Sequence, residues 1–499
     1  MRIAIIGAGV AGLYAAYRAH QAGHTVTVLE AKDRAGGLSH TARTGSTITE
    51  LGDDGQHHTQ TAALSPGQFV NLGPGRLPHH HRRILGLCRE LTVPLEPYVM
   101  TSDANLYCDA DTGHTYPRRR IENDTRGYLA AVAHASGALG YEQREMARAF
   151  GDLTGRGAYT GSHRAPGKPL TLDELATLGA WRHQFWQPAS HLWQGTMFHP
   201  VGGMDAIWRA LLARLIAAGI DVRLSSPVTS IRTGATGVRV GWLANGSCEA
   251  GEFDWCLSSI PWPLLDDTQL DGFSTDYRRA VSAVPFAAAC KVGWEATHRW
   301  WQDDPWQIYG GISYTSHDIW QVWYPSTGWE QRRGTLTGAY NSYGTAERFG
   351  RLSVAERLAL ARQGGQQLHP EIGDDQLTPL HLGMTVAWHR VPFQAGGWAD
   401  WQPERPAHAE AFARLQQPDG RFVAIGDQIG DWPGWQEGCV QSVDRALRHV
   451  AASAGQGYHP DPFTAAFELS ELGDAGDYGA EAPEVPDAYL LTAGDRPRD

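Results

Sequence analysis

The sequence predicts an α/β fold with three parts: a domain assembled from separated segments around a parallel sheet, a second domain built on a mixed sheet, and a helical insertion. Three observations support this prediction. A strand–helix–strand unit opens the chain, and similar apolar patterns return in residues 198–261 and 414–465. Residues 262–413, between the last two segments, have the β-rich pattern of an antiparallel sheet. The length of 499 residues also exceeds what one core requires, so two or more domains are expected.

The opening unit carries a dinucleotide-binding pattern. A short apolar strand leads directly into Gly7, Gly9 and Gly12, a helical run follows, and the next strand ends at Glu30. Gly7 permits a tight turn, Gly9 lets the backbone approach a pyrophosphate, and Gly12 lets the helix and strand pack closely. The phosphates would sit at the helix start, and the Glu30 carboxylate can accept from the ribose hydroxyls. The sequence therefore predicts a Rossmann-like domain for an adenine dinucleotide, against the alternative of an ordinary glycine-rich turn.

A second glycine pair narrows the choice of dinucleotide. Arg34, Gly36 and Gly37 follow Glu30 and resemble the flavoprotein extension of the motif, which favours FAD over NAD. The pair is usually followed by an arginine, and this chain has Leu38 at that place. The arginine that would make one of the expected phosphate contacts is therefore absent.

Composition excludes several classes of function. The formal charge of −12 argues against a nucleic-acid surface, which would need a basic stripe. Six cysteines without CxxC or zinc-ligand spacing favour reduced thiols in a cytoplasmic protein with no metal site. The chain shows no apolar run long enough to span a bilayer and no signal-peptide pattern before the first strand, so no membrane association is expected.

The domain boundaries follow from these patterns. Residues 117–197 alternate helical stretches with polar turns, and the tail is acidic with little apolar periodicity, which is typical of disorder. The prediction assigns 1–71, 198–261 and 414–465 to the dinucleotide domain, 72–116 and 262–413 to the substrate domain, 117–197 to the helical domain, and 466–499 to the acidic disordered tail.

Four blocks in fixed order, together with Lys291 in CKVGW, carry a family resemblance. The blocks are GAGVAGL with Glu30 and RAGG, LGPGRLPHHHRRI, FHPVGGMDAIWRAL and FVAIGDQIGDWPGWQEGCVQSV. They resemble the flavin amine oxidase superfamily, and the block around Arg76 is most similar to the FAD-dependent L-amino acid oxidases. The resemblance covers most of residues 1–465 and implies an FAD-binding domain of the two-dinucleotide-binding type.

The resemblance implies specific contacts to FAD. Val228 lies where the family makes a backbone contact to the adenine, and Asp427 matches the acid that contacts the ribityl-phosphate end. Trp398 follows a glycine pair where monoamine oxidases bond a cysteine to the flavin, which implies noncovalent FAD. The implied cofactor residues are Gly7, Gly9, Ala11, Gly12, Glu30, Arg34, Gly36, Gly37, Gly75, Arg76, Val228, Gly426, Asp427, Gly434 and Trp435.

The resemblance also implies a substrate site. Arg76 matches the arginine that binds the substrate carboxylate, and its planar fork suits that task. Tyr340 matches a tyrosine that adds a second hydrogen bond, Lys291 matches the lysine that holds a water near flavin N5, and Trp435 would wall the amine side. The implied catalytic residues are Lys291, Arg76, Tyr340 and Trp435, and the implied pocket residues are Arg76, Tyr340, Trp398, Gly434 and Trp435. Tryptophans 398, 401 and 435 together suggest an enclosed site for an apolar or planar side chain.

The expected reaction is oxidative deamination of an L-amino acid. Hydride moves from Cα to flavin N5, O2 becomes H2O2, and the imino acid hydrolyses to a 2-oxo acid and ammonia. The alternatives are an amine oxidase or a decarboxylating amino acid monooxygenase of the same superfamily, a non-catalytic flavin-bound assembly protein, and a desaturase acting on a larger ring system. The expected partners are a small-molecule amino acid substrate and O2, and a homodimer is retained because family members often form dimers.

Overall fold

The computed structural model describes residues 1–137, 145, 153, 167–180, 196–265 and 268–458. The predicted tail at 466–499 and much of the predicted helical domain lie outside these residues. Within them, no helix has both the length and the apolar character needed to cross a membrane.

The described strands occur mostly in consecutive runs, with helices between the runs. The strands are β1 Arg2–Ile6, β2 Thr25–Leu29, β3 Thr41–Ala42, β4 Thr47–Leu51, β5 His57–Thr61, β6 Val70–Asn71, β7 Leu77–Pro78, β8 Leu95–Val99, β9 Leu106–Cys108, β10 Thr115–Pro117, β11 Thr196–Pro200, β12 Asp221–Arg223, β13 Val228–Thr233, β14 Val238–Ala244, β15 Ser247–Phe253, β16 Trp255–Ser258, β17 Gln269–Asp271, β18 Phe286–Ala287, β19 Ala289–Ala296, β20 Ile312–Thr315, β21 Gln321–Trp323, β22 Gly334–Ser342, β23 Gly383–Ala387, β24 Trp398–Ala399 and β25 Phe422–Ala424. The helices are α1 Val10–Gln21, α2 Arg82–Glu90, α3 Arg118–Ala135, α4 Leu172–Leu178, α5 Ala206–Ala217, α6 Trp262–Leu265, α7 Thr275–Val281, α8 Tyr343–Arg351, α9 Val354–Leu368, α10 Pro370–Gly373, α11 Pro406–Leu415 and α12 Gln436–Ser453.

A five-stranded parallel sheet in the order β12-β2-β1-β16-β25 joins three distant parts of the chain. Strands β1, β16 and β25 are largely buried, as expected for a parallel sheet with both faces covered, whereas the edge strand β12 is not. Ile3 and Ile5 of β1 point into a core shared with α1, α5 and α12. Ala4 and Ile6 point into a second core, which is shared with β13 and β14. The predicted α/β fold is confirmed.

Only part of residues 198–261 joins the parallel sheet. We expected this segment to continue the sheet of the first forty residues, and β12 and β16 do so. The intervening strands form a separate sheet in the order β15-β14-β13-β17. Because β13–β15 are linked as antiparallel hairpins, they pair with each other and cover one face of the parallel sheet.

The second large element is a seven-stranded mixed sheet in the order β10-β9-β20-β21-β22-β19-β23. Its pairs are antiparallel except β9 with β20. All eight residues of β19 are buried, because α8 and α9 cover one face and β6 lies on the other.

Two segments pack differently from the predicted domain division. Helix α2 falls in residues 72–116, predicted as substrate domain, yet Ile84, Leu87 and Leu91 enter the core of the parallel sheet. Their spacing gives α2 one apolar face, which packs against α12. Ile48 and Val70 fall in residues 1–71, predicted as dinucleotide domain, yet they pack against β19 and β23 of the mixed sheet.

Candidate active site

One cavity of about 600 Å³ connects the parallel sheet to the mixed sheet. Gly7, Glu30, Ser259 and Gly426, each located just past the carboxyl end of a parallel strand, line one part of it. This edge is where open α/β sheets bind ligands. The mixed sheet and the loop 73–76, which carries Arg76, line the rest. The predicted residues that line the cavity are Gly7, Gly9, Ala11, Glu30, Gly36, Gly37, Gly75, Arg76, Val228, Lys291, Tyr340, Trp398, Gly426, Asp427, Gly434 and Trp435.

The glycine turn between β1 and α1 has the geometry that the motif predicts. Gly7 has φ +97°, a conformation that side chains disfavour. A methyl group at Gly12 would lie 1.8 Å from the carbonyl oxygen of Gly7, so Gly12 permits close packing and does not line the cavity. Gly9 is the N-cap residue of α1 and provides no side-chain cap. The backbone N–H groups of the first turn are therefore left for a ligand at this end of the helix.

Two charged residues near this turn form hydrogen bonds with the protein's own backbone, and one of them also lines the cavity. Glu30 is buried, accepts from the amide of Ala8 at 2.6 Å and still lines the cavity. Arg34 does not line it. Its guanidinium donates to the carbonyl oxygens of Ala35 at 3.2 Å and Gly37 at 3.4 Å, which holds the second glycine pair in place.

The mixed sheet brings Lys291 and Tyr340 together. They are direct cross-strand partners on β19 and β22, so their side chains leave the same face of the sheet. The Lys291 ammonium lies 5.1 Å from the centre of the Tyr340 ring. It donates to the carbonyl oxygens of Gly73 at 2.6 Å and Asn71 at 3.2 Å.

Burial shifts the pKa values of Lys291 and Tyr340, and for Lys291 the neighbouring cation adds to the shift. Burial, and secondarily the charge of Arg76, lower the pKa of Lys291 to about 7. Burial raises the pKa of Tyr340 above its ordinary value, so the phenol remains a neutral donor. Lys291 can therefore hold or release a proton near neutral pH.

Trp323 of β21 is a cavity residue that the sequence analysis did not single out. The Cζ atom of Arg76 lies 4.4 Å from its ring centre, and the Nζ atom of Lys291 lies 4.5 Å from it. Tyr340 meets it edge-on at 5.2 Å. Nothing in the local sequence marks Trp323, because the contact depends on the register of β21 in the sheet.

The start of α12 closes the cavity from the parallel-sheet side. Trp435 is its N-cap residue, and Gly434 has φ +79°. Asp427 accepts from the amide of Gly434 at 2.9 Å, and burial raises its pKa to about 6. Trp398 lies against this turn, since a methyl group on Gly434 would be 3.6 Å from its Cβ.

The expectation for Trp401 needs correction. Trp401 does not line the cavity; its indole N–H donates to the carbonyl of Gln428, and its ring packs on Phe412. Helix α2 begins at Arg82, and the buried His81 ring just before it packs edge-on against Trp435 at 4.9 Å. Among the described residues no group of His, Cys, Asp or Glu has the arrangement of a metal site.

The family assignment rests on a match along almost the whole chain. A family profile described as flavin containing amine oxidoreductase matches residues 10–130 and 121–450. The chain belongs to this family. Resemblance to flavin amine oxidases, predicted from the four blocks, is thereby confirmed.

Relatives of this amine oxidoreductase include proteins named as amino acid oxidases. A flavin-dependent L-tryptophan oxidase, RebO, of Lentzea aerocolonigenes is 26% identical over 497 residues, covering 91% of this chain and 99% of the relative. An L-amino-acid oxidase of Mus musculus is 26% identical over 494 residues, covering 91% of this chain and 71% of the relative.

Solved structures show the same fold. Putrescine oxidase bound to putrescine superimposes with a TM-score of 0.60 at 18% identity, covering 91% of this chain and all of that one. Cyclohexylamine oxidase from Brevibacterium oxydans IH-35A gives 0.61 at 17% identity, with coverage of 91% and 100%. At these identities the likeness concerns the fold and leaves the substrate open.

The cavity of this amine oxidoreductase fits the flavin cofactor that the family implies. The turn at Gly7 and Gly9 leaves room beside the helix start, and a methyl group on Gly37 would approach Gly9 Cα to 3.4 Å. Glu30 offers a carboxylate next to this turn. The backbone therefore forms a cradle for a phosphate group that side chains would fill.

Proposed function

We propose that this flavin amine oxidoreductase is an FAD-dependent L-amino acid oxidase. The observation that carries the proposal is the charge distribution in the cavity. Its lining carboxylates are Glu30 and Asp427, and both belong to the dinucleotide-binding blocks. The cations that line it are Arg76 and Lys291, on the mixed-sheet side. A positive, desolvated site favours a substrate with a carboxylate over a simple amine or diamine.

Arg76 has the chemistry and setting for the carboxylate anchor. Its side chain is only 5% exposed, and its guanidinium lies on the aromatic face of Trp323. Few waters compete at such a place, so two parallel hydrogen bonds to a carboxylate would be strong. Tyr340, a buried neutral phenol beside Lys291, can donate a further bond to the same group.

The remaining residues would orient and shield the amine end. A bound flavin supplies the two-electron acceptor for oxidation at Cα. Lys291, with a pKa of about 7, can hold a water and exchange a proton close to the site. Trp435 and Trp398 would exclude bulk water from the amine side, and fixing both ends of the substrate lowers the barrier through orientation.

The products follow from atom balance. Loss of two electrons and two protons from the amino acid gives an imino acid, and O2 accepts them to become H2O2. Water then adds to the imine and yields a 2-oxo acid and ammonia. The names of two relatives, an L-tryptophan oxidase and an L-amino-acid oxidase, support this class of substrate. The position of Trp398, where a covalent link would need cysteine, supports noncovalent FAD.

The deciding experiment is anaerobic reduction of the bound flavin by matched pairs of substrates. L-Phenylalanine, L-tryptophan and L-leucine are each compared with the amine that lacks the carboxylate. We expect bleaching of the flavin with amino acids only. Reduction by the amines alone would overturn the proposal. Product mass under air distinguishes a 2-oxo acid from the amide that a decarboxylating monooxygenase would give.

A further inference from the structure

We propose that Trp323 is the positioning residue of the site: its indole ring attracts both the guanidinium of Arg76 and the ammonium of Lys291, and so fixes the carboxylate anchor relative to the lysine. The inference rests on the proposed function and deepens it. Trp323 is itself buried, and its ring contacts three of the residues to which that function assigns a role.

The distances fall in the range of cation–π attraction. The Arg76 Cζ and Lys291 Nζ atoms lie 4.4 and 4.5 Å from the same ring centre, well within the roughly 6 Å limit of such contacts. Tryptophan has the strongest quadrupole of the aromatic side chains, and desolvation strengthens the contact further. Two like charges in one buried cavity repel each other, and attraction of both to the same indole ring offsets part of that cost.

The backbone is built for this contact. Gly75 precedes Arg76, and a methyl group there would lie 2.9 Å from the Cζ3 atom of Trp323. A larger residue would push the loop away from the indole. The ring is also fixed in its own plane, since its N–H donates to the side-chain oxygen of Gln321 at 2.7 Å. Glycine in the loop and an oriented ring together bring the guanidinium onto the aromatic face.

The test uses the FAD-loaded full-length protein with Trp323→Leu, which removes the ring, and Trp323→Phe, which keeps an aromatic face. Trp301→Leu is the matched control. Trp301 is a buried tryptophan in a different hydrophobic cluster that also has an arginine, Arg299, 5.9 Å from its ring, and it does not line the cavity. Melting temperature and flavin content are measured for each variant.

The decisive readout is binding of benzoate, a carboxylate without an oxidisable amine, measured by calorimetry, together with KM and kcat for an amino acid. We expect Trp323→Leu to weaken benzoate and raise KM roughly 30-fold, the equivalent of a desolvated cation–π contact of about 2 kcal/mol. We expect kcat to change much less, since the contact serves binding of substrate and transition state alike. Trp323→Phe should recover most of the loss.

The outcomes separate the two proposals. Unchanged benzoate affinity in Trp323→Leu, or equal losses in the Leu and Phe variants, overturns the role of Trp323 while amino acid oxidation stands. A wild-type protein that binds neither benzoate nor amino acids removes the carboxylate anchor, and both proposals fall. Should Trp323→Leu not fold, Trp323→Met, which also lacks a ring, takes its place: weaker benzoate binding and a higher KM than in Trp323→Phe support the role, and values equal to those of Trp323→Phe refute it.

Discussion

Lys291 ties the mixed sheet to the loop that carries Arg76. Its ammonium donates to the carbonyl oxygen of Gly73 at 2.6 Å and to that of Asn71 at 3.2 Å, and both belong to the strand end and turn just before Arg76. The lysine proposed to act near the flavin is therefore also a structural tether. Variants of Lys291 must be interpreted with both roles in mind.

Lys291→Met should change how stability depends on pH. The pKa of Lys291 is lowered from an ordinary 10.5 to about 7, so between these values the unfolded wild-type chain binds more protons than the folded one. The contribution of Lys291 to the unfolding free energy therefore rises with pH across that window, by at most about 1.4 kcal/mol per pH unit. The methionine variant lacks this gain, so its unfolding free energy relative to wild type should fall from pH 7 to 10.

Urea unfolding of the two apoproteins at several pH values measures this difference. Lys32, whose pKa burial also lowers to about 7, is present in both proteins and cancels. Val292→Ala, next along β19, is the control and should lose stability equally at all pH values. If the difference in unfolding free energy between Lys291→Met and wild type did not change with pH, the pKa of Lys291 would not be lowered in the folded state.

Arg76→Lys should weaken substrate binding without loss of flavin. Lysine keeps the charge but lacks the planar fork. We expect the KM of an amino acid to rise roughly 10- to 100-fold, since a charge-assisted hydrogen bond contributes about 1.5–3 kcal/mol. Steady-state kinetics and the flavin absorption spectrum test this. An unchanged KM would remove Arg76 from the role of carboxylate anchor.

Gly12→Ala and Gly9→Ala should separate packing from ligand binding. The added methyl at Gly12 would sit 1.8 Å from the carbonyl oxygen of Gly7, so unfolding free energy should drop by about 3 kcal/mol or more. At Gly9 the nearest contact is Gly37 Cα at 3.9 Å, so the apoprotein should stay folded while FAD affinity falls. Thermal melting of the apoproteins and FAD titration measure both effects. Equal melting of Gly12→Ala and wild type would contradict the geometry.

Denaturation should release the flavin. Trp398 lies beside Gly434 at the cavity wall and has no nucleophilic atom with which to bond the cofactor. After acid precipitation, the yellow colour and its absorbance should therefore appear in the supernatant. Flavin that stays with the precipitated protein would show a covalent link through another residue and would contradict the noncovalent proposal.

The dinucleotide half of the site was largely predictable because its signals are local. Gly7, Gly9, Gly12 and Glu30 act through one turn and its two flanking strands, whose spacing is visible in the sequence. The substrate half was predictable only through family resemblance. Arg34 shows that even a local motif does not predict every contact. It belongs to the motif, yet its guanidinium donates to the backbone carbonyl oxygens of Ala35 and Gly37.

The sequence by itself determined the α/β class and the dinucleotide turn, because periodicity and glycine spacing act over a few residues, whereas the substrate-side candidates came from family resemblance. Only the tertiary structure decided that β12 and β16 enter the parallel sheet while β13–β15 form their own, that α2 packs on α12, and that Trp323 contacts both Arg76 and Lys291. These outcomes depend on strand register and on which apolar faces meet, and such choices are made between segments hundreds of residues apart.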